Sequence, residues 1–288
     1  MRLTLEQALN WGQKQLLSKE EIGVGPNEAL KKARLLLAYA LKKDISYIFA
    51  FKEKTLSLEE NILFEDFILK ASEGTPLSRI LKFREFWSLP FFLNVATLDP
   101  RPDSELIIDV ALKMIPDPTT RLRILDLGTG SGCLLLSLLH MFPNAQGVGV
   151  DLSFEAAYCA QENARHLNLD QRSLFIQGSW TEALEGKFDL IISNPPYIPT
   201  SDILHLDSSV RLFDPLLALD GGQDGLDSYR HLIPKFKHLL SLRGLVLVEI
   251  GATQFSDVEK IFKTENFQEI QCHLDLEGRP RVISAYVS

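Results

Sequence analysis

The run Ile124-Leu125-Asp126-Leu127-Gly128-Thr129-Gly130-Ser131-Gly132-Cys133 carries a short apolar strand into three alternating glycines and then into a helix. Glycines at 128, 130 and 132 permit a tight turn and let a ligand approach the backbone, while the helix beyond offers unpaired N–H groups. The same rhythm continues outward from this run. Short apolar segments at 123–127, 147–150, 173–176, 188–193 and 244–250 read as strands, with helical patterns after most of them. Leu190-Ile191-Ile192 and Val246-Leu247-Val248 are wholly apolar, as suits strands buried on both faces of a parallel sheet. The expectation is an α/β, doubly wound, Rossmann-like sheet. Two further strands are expected at 267–274 and 281–287, joined by a Gly278-Arg279-Pro280 turn.

Upstream the period changes to that of helices. Leu5, Ala8, Leu9 and Leu16 share one helical face, as do Ala29, Leu30, Ala33, Leu36, Leu37, Ala40 and Leu41. Gly23-Val24-Gly25-Pro26-Asn27 separates them, with Asn27 expected as an N-cap. A third helix is expected over 58–72, ending at Gly74. Residues 80–95, rich in Phe and Trp and broken by Ser88-Leu89-Pro90, read as a β-hairpin. Pro100-Arg101-Pro102-Asp103-Ser104-Glu105 then opens a helix running to about 115. The expected organisation is a small helical bundle over 1–75, a β-hairpin linker over 76–100 and the sheet domain over 101–288. The bundle shows no catalytic constellation, which leaves it docking or stability.

Composition narrows the function. The 288 residues are 45% apolar and 24% charged, which is globular composition. Thirty basic against 38 acidic side chains give −8. Residues 1–80 hold 12 basic and 11 acidic groups, and residues 81–288 hold 18 and 27, so the acidity lies in the later part. Bulk charge therefore supplies no phosphate-binding field. Cys133, Cys159 and Cys272 are odd in number and widely spaced, which suits small buried hydrophobes in a reducing compartment rather than disulfides or zinc ligands. The six histidines show no ligand spacing, and no metal is expected. The start Met1-Arg2-Leu3-Thr4-Leu5-Glu6-Gln7 lacks the apolar run of a signal peptide. A cytoplasmic location is the corresponding expectation.

Three strand ends carry chemistry. A dinucleotide fingerprint counted from Gly128 requires glycine at position 133, where Cys133 stands. Asp126, ahead of the loop, repels a pyrophosphate but suits a ligand bearing an ammonium and a sulfonium, which favours S-adenosylmethionine over NAD. The second end is Val148-Gly149-Val150-Asp151. Its carboxylate can accept both ribose hydroxyls; Asp151 or Ser153 could instead cap a helix beginning at Phe154, but the spacing from the glycine loop favours the ribose role. The third is Ser193-Asn194-Pro195-Pro196-Tyr197. Two prolines remove N–H donors and leave carbonyls aimed outward, Asn194 adds an acceptor, and Tyr197 supplies a flat face. Such a site accepts hydrogen bonds from a planar –NH2 group. Asn194 Oδ1 and the Pro195 carbonyl would orient that nitrogen and stabilise the charge it gains on transfer. Glu249, ending an apolar strand, either lines the cleft or serves a turn.

Residues 126–132 together with 194–197 resemble class I S-adenosylmethionine-dependent N-methyltransferases. That tetrapeptide is shared by enzymes acting on glutamine, on adenine N6 of DNA and on some ribosomal RNA guanines. The flanks Arg84-Glu85-Phe86-Trp87, 97–105, 210–219 and 221–226 are similar to the bacterial release-factor glutamine N5-methyltransferases. The resemblance implies methylation of the glutamine in the Gly-Gly-Gln loop of peptide-chain release factors, with S-adenosyl-L-methionine converted to S-adenosyl-L-homocysteine. It carries cofactor contacts onto Asp126, Gly128, Thr129, Gly130, Ser131, Gly132, Asp151, Trp180 (beside the adenine) and Asn194. It carries the catalytic group onto Asn194, Pro195, Pro196 and Tyr197. Ser179 stands where the family has Asp, Asp99 replaces an apolar residue, and Asp103-Ser104 replace Glu-Thr. The implied partner is a release factor, contacted in part by the helical bundle, for a monomer without DNA or membrane.

The rivals are glutamine of a ribosomal protein, adenine N6 of DNA, an NAD-dependent oxidoreductase and a non-catalytic binding module. DNA methylation calls for a basic recognition segment, and no basic cluster exceeds Lys31-Lys32 or Lys42-Lys43. Gly221-Gly222-Gln223 spells the release-factor motif itself, but it lies among Asp220, Asp224 and Asp227 and is read as a loop before a helix near Leu226.

Overall fold

Alternation along the central strands sets the layers of the larger unit. In the computed structural model, which describes residues 3–18, 25–182 and 184–287, the chain divides into two units, Met1–Phe83 and Arg84–Ser288. The division thus falls within the segment read as a linker. Residues 76–83 go with the helices and the rest of the hairpin with the sheet.

The first unit holds, among the described residues, helices α1 (Leu5–Leu17), α2 (Pro26–Leu41), α3 (Ile45–Ala50), α4 (Leu58–Ser72) and α5 (Leu77–Leu81). Capping boxes start α1 and α4: Thr4 pairs reciprocally with Gln7, and Ser57 with Glu60. Leu5, Ala8, Ala33, Leu36, Leu37, Phe64 and Ile68 are fully buried in its core. The N-cap of α2 is Gly25, with Pro26 at the first helical position, rather than Asn27. Proline suits that place because its missing N–H would be unpaired there anyway. Gly23 and Val24 of the expected break lie outside the described residues. The short helices α3 and α5 were not foreseen.

The strands β1 (Phe83–Phe86) and β2 (Leu89–Phe92), all but Phe83 in the second unit, form the expected hairpin. Its turn is Trp87-Ser88, both at positive φ, so Leu89 and Pro90 lie inside β2 rather than in the break. A 3-10 turn at Pro102–Ser104 leads into α6 (Glu105–Met114). The sheet then builds from β3 (Arg123–Leu127), α7 (Cys133–Met141), β4 (Gln146–Asp151), α8 (Phe154–His166), β5 (Ser173–Gln177), β6 (Phe188–Ser193), α9 (Ser208–Arg211), α10 (Asp227–Leu239), β7 (Leu240–Glu249), α11 (Phe255–Thr264), β8 (Gln268–Leu274) and β9 (Pro280–Tyr286). Strand order is β5-β4-β3-β6-β7-β9-β8, with the first five parallel and β9 antiparallel to both neighbours.

Successive residues of the inner strands face opposite layers. Ile124, Leu190, Ile192, Leu245 and Leu247 join the core under α6 and α7, whereas Leu125, Ile191, Val246 and Val248 join the core under α10 and α11. All are essentially inaccessible, which is why these strands read as unbroken apolar runs. At the tail, Asp275 Oδ1 closes the turn by accepting from the amides of Glu277 and Arg279, so Pro280 opens β9 rather than belonging to the turn. Of the cysteines only Cys159 is buried; Cys133 and Cys272 are half-buried. No helix among the described residues is long and apolar enough to cross a membrane.

Candidate active site

β3 sits between β4 and β6: the chain runs outward from it to β4 and β5 on one side, then returns to place β6 on the other. Ligands of open α/β sheets bind beyond the strand ends at such a reversal. A cavity of about 270 Å³ opens there, and Gly128, Thr129, Gly130, Ser131, Asp151, Trp180, Asn194 and Pro196 are in its wall. Asp126, Gly132, Pro195 and Tyr197 are not.

The loop after β3 is held from behind. Gly128, Gly130 and Gly132 all have positive φ, a backbone that only glycine adopts without strain. The amides of Gly128 and Thr129 donate to the Val150 carbonyl at 2.9 and 3.0 Å. Asp126 lies beneath, fully buried, accepting from Thr129 Oγ1 at 2.6 Å while its Oδ1 has no partner among the described residues. Burial, reinforced by the nearby Asp151 charge, pushes its carboxyl up to about 7. Gly132 is the N-cap of α7 and packs on α8: a methyl group there would meet Ala160 Cβ at 3.0 Å.

Asp151 ends β4. Its Oδ2 accepts from the Gly130 amide at 2.8 Å and its Oδ1 from the Ser153 amide at 2.9 Å; burial raises its pKa. The helix cap falls to Ser153, whose hydroxyl accepts from the Ala156 amide. Trp180 packs its ring over Gly128, with Ser179 beside it in the wall.

Asn194 follows β6 and is oriented by Ser104, whose Oγ accepts from Asn194 Nδ2 at 3.0 Å. Among the described residues nothing donates to Asn194 Oδ1 or to the Pro195 carbonyl. The Pro196 carbonyl is occupied by Ser228 Oγ at 3.0 Å. Tyr197 turns away from the cavity: its ring packs on the core under α10, and its hydroxyl points to Glu249 Oε1 at 3.4 Å. The strand's alternation carries past its end and sends this side chain inward. Burial and the Glu249 charge raise the Tyr197 pKa.

Sequence reading missed the supports of this segment. Gln254 Nε2 donates to the carbonyls of Tyr197 (2.9 Å) and Gly225 (3.1 Å). Ile198 forms a parallel bridge with Asp220, its carbonyl accepting from the Gly221 amide at 2.8 Å, and a methyl group on Gly221 would come within 2.8 Å of Tyr197 Cα. The loop holding Gly221-Gly222-Gln223 is therefore a buttress for residues 196–200, with Gln223 itself exposed. Glu249 is buried and absent from the cavity wall; burial lifts its carboxyl to about 7. The unexpected Asp99 also gains an explanation. Its carboxylate faces Arg84 Nε at 3.6 Å, and its amide donates to Asp214 Oδ1, which belongs to a carboxylate also paired with Arg101. The charge is balanced, and the segment entering α6 is tied to residue 214.

Residues 104–207 match the model of the methyltransferase small domain, and residues 7–81 that of the PrmC N-terminal domain. The release factor glutamine methyltransferase of Bradyrhizobium diazoefficiens is 44% identical over 90% of this chain and 88% of its own length. The belongings of the sequence are settled by that coverage. The chain belongs to the release factor glutamine methyltransferase family. The family member from Moorella thermoacetica is 37% identical over 99% of both chains. Among solved structures the hMettl16 catalytic domain, in complex with MAT2A 3'UTR hairpin 6, superposes with a TM-score of 0.60 at 17% identity, covering 74% of this chain and 81% of that one. At that identity the agreement is one of fold. Membership makes this chain a methyltransferase, and the oxidoreductase and non-catalytic readings fall.

Proposed function

We infer that this chain transfers a methyl group to the side-chain amide nitrogen of the glutamine in the Gly-Gly-Gln loop of peptide-chain release factors, with S-adenosylmethionine as the donor. The observation that carries this reading is Asn194 Oδ1, an acceptor unoccupied among the described residues and carried by a side chain of the cavity wall; the Pro195 carbonyl beside it in the chain is likewise unoccupied, though Pro195 is not itself in that wall. A carboxamide nitrogen is a poor nucleophile because its lone pair is delocalised. Two acceptors taking its two hydrogens fix its orientation, and they hold more strongly once the nitrogen becomes positive. No base need act beforehand, since the proton becomes acidic only after the new bond to nitrogen has formed.

The residues present fit the cofactor. Asp126 leaves an unpaired buried oxygen beneath the loop, a source of negative field suited to a cationic ligand. Each Asp151 oxygen accepts one backbone hydrogen bond and keeps a lone pair for a ribose hydroxyl. Gly128, Thr129, Gly130 and Ser131 present backbone to the cavity, and Trp180 offers a flat face beside them. When bound, S-adenosylmethionine supplies an electrophilic methyl carbon on a sulfonium centre. Gly132 supports the loop from the α8 side, and Pro196 and Tyr197 keep Asn194 and Pro195 rigid.

Recognition of the release factor we assign in part to the helical unit, because a cavity of about 270 Å³ cannot by itself select one glutamine among many. The corresponding location is the cytoplasm, where translation takes place. Incubation with a purified release factor and methyl-labelled cofactor, followed by peptide mapping, tests the reading. Label on the Gly-Gly-Gln glutamine is expected. Label confined to a ribosomal protein or to duplex DNA overturns it.

A further inference from the structure

Pro195 and Pro196 have no N–H, so the backbone beyond Asn194 can be gripped there only by its carbonyl oxygens. The two rings also fix φ, and a residue that precedes proline is restricted in turn, which makes Asn194 to Tyr197 a stiff unit. The far end of that unit is held by Gln254, which is buried at the N-cap of α11. Its Nε2 donates one hydrogen to the Tyr197 carbonyl at 2.9 Å and the other to the Gly225 carbonyl at 3.1 Å. Its Oε1 accepts from the Gly251 amide at 2.9 Å. Tyr229 Oη also lies 3.4 Å from Oε1, but it gives its hydrogen to the nearer Glu249 carbonyl at 2.9 Å. A carbonyl only accepts and a backbone amide only donates, so the two ends of the Gln254 amide cannot be exchanged. Two glycines leave room for this group. A methyl group on Gly225 would strike the Tyr197 carbonyl oxygen and come within 2.7 Å of Nε2, and one on Gly251 would come within 2.9 Å of Oε1.

We propose that Gln254 is a positioning residue for methyl transfer. Its one amide joins the turn after β7, the Gly225 loop before α10 and the end of the Asn194–Tyr197 segment, and so sets where Asn194 Oδ1 stands in the cavity wall. Gln254 is not itself in that wall, so it acts through the backbone it holds. The gripped carbonyl lies three residues from Asn194 with two locked rings between them. A carbonyl that moves therefore carries the Asn194 side chain with it, and a misplacement of about 1 Å at a reacting group costs about a hundredfold in rate. This inference rests on the methyl-transfer reading above, and it adds the part that keeps the acceptor in place.

The test compares wild type with Gln254→Glu and Gln254→Met in methylation of a release factor. Both replacements nearly keep the length of the side chain. Met donates nothing, and Glu offers the two carbonyls at most one hydrogen. In both, kcat per bound cofactor is expected to fall about tenfold to hundredfold. Cofactor Kd and KM for the release factor should stay within about twofold, with one cofactor bound per chain as the measure of folded protein. A side chain that only fills space would be replaced by either isostere without loss. A kcat within about threefold of wild type, or a loss confined to KM or to cofactor affinity, therefore overturns the proposal. Side-chain amide signals of 15N-labelled protein give a second readout that needs no substrate. In wild type the Gln254 hydrogens should exchange with solvent far more slowly than those of the exposed Gln223, and equal exchange overturns the proposal. The Asn194 signals, assigned by their disappearance in Asn194→Ala, should shift in Gln254→Met, and unchanged signals overturn it as well. If wild type leaves release factors unlabelled, the function reading fails, and the amide signals still decide the positioning.

Discussion

Asp151 at the end of β4 accepts a hydrogen bond from the Gly130 amide, 2.8 Å away on the loop that leaves β3. One strand's terminal carboxylate therefore shapes the loop of its neighbour before any ligand arrives. A second bond, from Ser153, fixes the other oxygen, so the carboxylate plane is set on both sides.

Asp151→Ala removes both restraints together with the acceptors offered to a ribose. S-adenosylhomocysteine is expected to bind roughly thirtyfold more weakly, about 2 kcal/mol, as measured by calorimetry. A Kd within about threefold of wild type contradicts the assignment.

Asn194→Ala removes one of the two open acceptors and leaves the glycine loop and Asp151 in place. Cofactor affinity should change little, while the rate of methyl transfer should drop by about 3 kcal/mol of transition-state stabilisation, the scale of one aligned polar contact. Single-turnover transfer to a release factor checks this, and an unaltered rate excludes the acceptor role.

What the sequence made legible was local. β6 could be read because Leu190-Ile191-Ile192 is apolar on both faces, and α4 because its fifteen residues run uninterrupted to a stop at Gly74 within one short stretch. The helices α3 and α5, six and five residues long, are too short to display a period. Pro90 and Pro280, read as turn residues, lie inside strands at positions that tolerate the missing donor. The glycine loop, Asp151 and Asn194 could be picked out because each is an unusual residue at a strand end. Their supports could not. Ser104 meets Asn194 across 90 residues and Gln254 meets Tyr197 across 57, and contacts of that separation leave no local pattern. Tyr197 was given a face in the cavity because residue type was legible and side-chain direction was not.

The Gly221 buttress separates structure from coincidence in the Gly221-Gly222-Gln223 triplet. Gly221→Ala drives a methyl group against Tyr197 backbone at 2.8 Å, and backbone cannot swing aside as a flexible side chain can. A loss of about 1–3 kcal/mol in stability is expected, with methyl transfer reduced further because residues 196–200 shift. Gln223 is exposed, and Gln223→Ala should leave both unchanged. Denaturant unfolding and a methylation assay on the two variants decide the matter.

The buried carboxyls give the ligand-free protein and its complex opposite responses to pH. Burial raises Asp126 and Glu249 to about 7, whereas in the unfolded chain both titrate near pH 4. Between those values the folded state binds more protons than the unfolded one, so stability falls as pH rises through the window and levels off above about 7. Asp126→Asn cannot ionise, and it should flatten part of that fall in urea unfolding followed across the same range. Cofactor binding runs the other way. A cationic ligand is drawn to the ionised Asp126, so below about pH 7 binding must first expel a proton, and affinity should weaken by up to about tenfold per pH unit. Above about 7 this dependence should vanish, and in Asp126→Asn most of it should be absent throughout. Calorimetric titrations that give one Kd from about pH 5.5 to 7 would remove Asp126 from the binding of charge and leave it a support for Thr129 alone.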